Sequence, residues 1–227
     1  IQAAASVFIV LAGLSGCAPT YPTHEKIIEG VKELCKKEYD TDVKVKIVGN
    51  TLGVQMAMEG IFSEKDKKLS GQAQQRLNGV MLSMSRVALS SDKTIDFYTL
   101  VVVDDALPGA EVIITTYVMD LRRYWHRDIS RGEFGQRSVT DIRFNPQTFL
   151  DMLKGEFTIQ DVQLEEFMRK QTCQRIRNTF KDDKMLAGRF ILSSCESELK
   201  DGTFIFNVDI TREGLPMSEL IHGPAWH

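Results

Sequence analysis

The sequence predicts an α+β fold in which antiparallel β-hairpins carry packed helices. Three observations carry that expectation. Apolar residues recur at helical spacing in three long stretches, two β-branched or alternating runs follow each stretch, and turn-forming residues separate the runs. The 227 residues are 43 % hydrophobic and 26 % charged, enough apolar content for one ordinary domain or two small ones.

The first helix is expected to start at Thr23, a good N-cap placed after Pro22. Ile27, Ile28, Val31, Leu34, Cys35 and Tyr39 then form one buried stripe, and Asp40-Thr41-Asp42 ends it. Val43–Ile47 alternates as a strand, with Leu52–Met58 as its partner across Gly49-Asn50. The second helix runs over Ser70–Leu89 on the stripe Ala73, Leu77, Val80, Met81, Met84, Val87 and Ala88. The β-branched run Ile95–Val103 reads as a central strand, and Leu107-Pro108-Gly109-Ala110 turns it into Val112–Met119.

The third helix opens with the capping-box pattern Thr158-Ile159-Gln160-Asp161, stapled by Phe157 and Val162. Leu164, Phe167, Met168, Ile176 and Phe180 make its apolar face. Phe190–Leu199 and Phe204–Ile210 form a hairpin around Asp201-Gly202, with one wet face. An α-β-β order thus occurs three times. It reads either as an internal repeat or as common α+β grammar, because the residues of the units do not align. In outline the units resemble small αββ modules of envelope assembly proteins such as secretin ring-building and BON domains, a likeness of shape that does not fix function.

The amino terminus is more specific. Ile1–Gly16 has no charged residue, and the apolar run Val7–Leu14 suits an export signal rather than a membrane span. It ends in Leu14-Ser15-Gly16-Cys17, which resembles the lipobox of bacterial lipoproteins: a branched apolar residue, two small residues and a cysteine. The resemblance implies cleavage before Cys17 and acylation of Cys17, and acyl chains anchor at ~0.8 kcal/mol per buried CH₂. Ala18 after the cysteine favours the outer membrane under the family's sorting habit. The expected organisation is a signal peptide at 1–16, a lipidated tether at 17–23, an α+β domain at 24–130, a connecting segment at 131–157 and a smaller α+β subdomain at 158–227.

A net charge of −3 argues against nucleic acid as a partner. The most distinctive polar stretch is Asp120–Asp128, which holds Arg122, Arg123, Tyr124, Trp125 and Arg127; continued to Arg143 it carries six Arg against four acids. Arg with aromatic residues suits a partner contact or a membrane surface, and equally a solvated helix face. Among the thiols, Cys173 and Cys195 are the expected disulfide pair, while Cys35 falls on an apolar stripe. The four histidines His24, His126, His222 and His227 match no metal motif, and no nucleophile elbow or phosphate-cradling loop occurs. The expectation is therefore a non-catalytic, cofactor-free and metal-free binding or scaffolding lipoprotein of the cell envelope. It would face the periplasm, with a lipid anchor and an envelope protein partner. The alternative is a carrier for a lipid or small apolar ligand, its pocket lined by Met56, Met58, Met81 and Met84. Trp226 near the carboxy terminus is a further docking candidate.

Overall fold

A computed structural model describes residues 21–62, 69–107, 109–183, 186 and 190–212. The expectations placed on the signal peptide, on Cys17, on Pro108 and on Trp226 lie outside the described residues. The chain forms two compact units. One takes the described residues up to Arg131 together with Thr140–Asp161, and the other takes Gly132–Val139 and the described residues from Val162 onward.

The first unit is built on α1 (His24–Tyr39), β1 (Lys44–Val48), β2 (Thr51–Met58), α2 (Gly71–Leu89), β3 (Phe97–Asp104) and β4 (Ala110–Tyr117). It continues through α3 (Val118–Trp125), α4 (Arg131–Arg137), β5 (Val139–Phe144) and α5 (Pro146–Leu153), with α4 and the first residue of β5 crossing into the second unit. The fold is α+β. The expected antiparallel hairpins β1–β2 and β3–β4 form, and they join in one mixed sheet. Its order is β1-β2-β3-β4-β5, and β2 runs parallel to β3 with Leu52 beside Tyr98 and Val54 beside Leu100. The helix between β2 and β3 explains this, since a crossover returns the chain in the same direction whereas a tight turn reverses it.

All eight residues of β3 are buried, as an apolar central strand requires. Leu100 and Val102 are fully buried, and each such side chain contributes about 2 kcal/mol. Thr23 caps α1 as expected, its hydroxyl accepting from Lys26 N. Ile27, Val31 and Cys35 of α1 and Val80, Met84 and Val87 of α2 form the helical part of the core. The two helices approach closely at Gly79, where a Cβ would lie 2.6 Å from the Tyr39 ring.

One expectation is corrected: the capping box at Thr158–Asp161 is not used. Helix α6 (Leu164–Asp182) starts later, with Gln163 at its N-cap and no side-chain cap bond. Asp161 instead accepts from Asn50 N at 3.1 Å and from the Thr51 hydroxyl at 2.8 Å. Ile159 packs on Gly53, where a Cβ would stand 2.2 Å from Ile159 Cδ1. Tertiary partners on the β1–β2 hairpin have outbid the local cap. The segment 131–157, expected to connect two domains, holds α4, β5 and α5. Its elements are short and β5 is exposed beyond Val139, so no apolar period marked them.

The second unit contains α6 and the hairpin β6 (Phe190–Lys200) and β7 (Thr203–Arg212). Asp201 and Gly202 both have positive φ, 50° and 75°, the geometry of a tight two-residue hairpin turn. An isolated two-stranded hairpin is marginal in water. Here α6 supports it through a Cys173–Cys195 disulfide and a 2.9 Å bond from Arg169 to the Ser197 carbonyl. On its other side Gln171 and Gln174 donate to the carbonyls of Arg137 and Ser138.

Candidate functional site

The Arg-aromatic segment forms α3, and its position follows from β4. The strand runs into the helix without a loop, and Val118 N donates to the Asp96 carbonyl at 2.8 Å. Val118 and Leu121 are buried and pin one face of the helix. Asp120 is buried beside them, 3.7 Å from Arg123. Met119, Arg122 and Trp125, at i, i+3 and i+6, form a ridge of exposed side chains that crosses the helix obliquely, with Trp125 exposed at its end. Met119 is 44 % exposed and Trp125 55 %, and an Arg122 Nη atom lies 3.8 Å from Met119 Sδ.

The helix ends with Arg127 in the left-handed region, φ 64°, its N–H bonded to the Tyr124 carbonyl and that of Asp128 to the Arg123 carbonyl. A non-glycine residue there costs on the order of 1 kcal/mol, met here by closing the helix end. Of the five residues singled out in the sequence, Arg122 and Trp125 share the outward ridge. Arg123 turns to Asp120, Tyr124 is half-buried with its ring 6.3 Å from that of Trp125, and Arg127 stands past the helix end.

Beside the ridge is a shallow open depression lined by Asp92, Lys93, Asp96, Met119 and Arg122 among others. Its residues come from two chain segments that only the fold brings together, so the sequence offered no sign of it. The same corner receives the start of the described chain. Tyr21 N bonds the Ser90 carbonyl at 3.4 Å, Asp92 N bonds the Tyr21 carbonyl at 3.3 Å, and the Tyr21 ring lies over Gly30. Met119 was also missed, although its spacing from Arg122 and Trp125 was readable.

Among the described residues burial pushes up the pKa of Cys35 and of Tyr98, both in the core. Among the described residues no three His, Cys, Asp or Glu side chains are grouped to hold a metal ion. Met56, Met58 and Met84 pack in the core and do not line the depression. No described helix is long and apolar enough to cross a membrane.

Compared with protein-family models, with curated proteins and with solved structures, the chain matches none of them.

Proposed function

We propose that the chain is a bacterial lipoprotein that acts as a non-catalytic binding or scaffolding component of the cell envelope. In this reading Cys17 carries the lipid, the outer membrane is its favoured location, and the Met119–Arg122–Trp125 ridge is the contact surface. One observation carries the reading. The ridge borders the Ser90–Asp96 segment, and that segment holds Tyr21, four residues after Cys17. Four residues span at most about 14 Å. The anchor would therefore keep this corner near the bilayer, and a protein lying on or in the same membrane would meet the ridge first. Arg and Trp suit such a contact because Trp buries a large apolar face and Arg offers several donors from a planar group that stacks.

The carrier alternative draws no support from its four methionines, three of which are core and one, Met81, half-buried.

The test is mild crosslinking in living cells followed by recovery of the tagged full chain and mass spectrometry. It is run for wild type, for Cys17→Ala, and for Arg122→Ala/Arg123→Ala/Trp125→Ala. The reading expects a discrete partner set that disappears in both variants while the thermal unfolding of the protein stays that of wild type. Unchanged recovery by the triple variant would refute the ridge, and unchanged recovery by Cys17→Ala would refute the anchor.

A further inference from the structure

The five-stranded sheet has two outer strands, and they are built differently. Strand β1 carries Lys44 and Lys46, the kind of charge that discourages another chain from adding to an edge. Strand β5 has no lysine and lies beside β4 alone in the strand order. From Thr140 to Phe144 it is exposed, with Ile142 at 60 % and Phe144 at 65 %. Leu150 and Leu153, one turn apart on the adjoining α5, are 48 % and 67 % exposed. An edge with its apolar side chains in water attracts a further strand.

Its sequence indicates which strand. Two copies of β5 laid antiparallel about Ile142 set Ile142 against Ile142, and each Asp141 against the other copy's Arg143. Cross-strand opposite charges favour such a pair, whereas a shift by one residue along the strand would lose both contacts and place Asp141 against Ile142. Arg143 can serve two carboxylates. Its Nε engages Glu111 in the same chain, and the guanidinium keeps further donors for an acid across the edge. Asp141 has no ion-pair partner among the described residues of its own chain. We infer that β5 is a self-association edge, on which a second copy of this chain pairs antiparallel about Ile142. The pairing is isologous, so it closes as a dimer and does not propagate. Ile142, Phe144, Leu150 and Leu153 supply the apolar surface that hydrogen bonds along five residues would otherwise lack.

The test uses the full chain in its host membrane, with single cysteines introduced as Thr140→Cys, Ile142→Cys or Phe144→Cys and mild oxidation before a non-reducing gel. Cα atoms at the dyad are about 4.5–5.5 Å apart in either type of antiparallel pair, within disulfide reach. The inference expects Ile142→Cys alone to give a dimer band, and Asp141→Arg added to it to abolish that band. Equal bands from all three positions would signify random collision and overturn it. So would no band from Ile142→Cys in a protein whose thermal unfolding midpoint matches wild type, or an adduct with a different protein.

Discussion

The guanidinium of Arg143, on exposed strand β5, meets the carboxylate of Glu111, which is 1 % exposed on β4. The pair joins an edge that the sequence left unmarked to a strand of the sheet interior. A buried carboxylate without its cation is costly, while exposure of Arg143 reduces what the pair contributes. Arg143→Ala should therefore lower stability by about 2 kcal/mol. Adding Glu111→Gln should recover part of that loss, since the charge left behind causes it. Urea unfolding of the four proteins of the cycle checks this, and additive losses would contradict it.

Tyr98 should make stability depend on alkaline pH. Its phenol is buried, bonded to Ser85 at 3.1 Å, and burial holds its pKa above the ordinary 10.0. The unfolded chain releases this proton first, so the stability that neutral Tyr98 contributes is complete below about pH 10 and is lost as pH rises toward the folded value. Cys35 adds the same sign from its ordinary 9.0, because burial pushes its thiol up. Tyr98→Phe should cost about 1 kcal/mol at pH 7 for the lost hydrogen bond. Urea midpoints between pH 7 and 11 should show its deficit against wild type narrowing, and a constant deficit would refute the assignment.

The α1–α2 contact depends on the missing side chain at Gly79. Alanine gains about 1 kcal/mol of helix propensity over glycine, but its Cβ would press on the Tyr39 ring. Overpacking of a ring costs about 1–3 kcal/mol, so Gly79→Ala should be destabilising by about 1 kcal/mol net. Pairing it with Tyr39→Leu should remove most of the penalty in thermal unfolding.

Reduction should weaken the second unit selectively. The Cys173–Cys195 bond closes a loop over a separation of 22 residues, worth about 3 kcal/mol in the chain-entropy account. With Cys173→Ser/Cys195→Ser, amide exchange in β6 and β7 should quicken markedly while that in β3 is unchanged. Equal change in both would mean that the units unfold as one.

The long elements were legible because their apolar periods are strong. Helix α2 and strand β3 are the clearest, and buried Cys35 followed from its place on the α1 stripe. Parallel pairing of β2 with β3 was not legible, since periodicity reports burial and not strand direction. The Thr158–Asp161 pattern misled because Asp161 found the Asn50 and Thr51 donors, more than a hundred residues away in sequence. Strand β5 escaped because its side chains face solvent. In the candidate site Arg122 and Trp125 were readable as a pair, whereas Lys93 and Asp96 join Arg122 only through the fold.

In the proposed function, Cys17 carries a lipid that holds the α3 corner at a membrane. The most direct measurement is the mass of the amino-terminal peptide of the protein recovered from its host cells. A lipoprotein should yield a peptide that begins at Cys17, with a diacylglyceryl thioether and an acylated amino group. A peptide that retains residues before Cys17, with an unmodified thiol, would contradict that proposal.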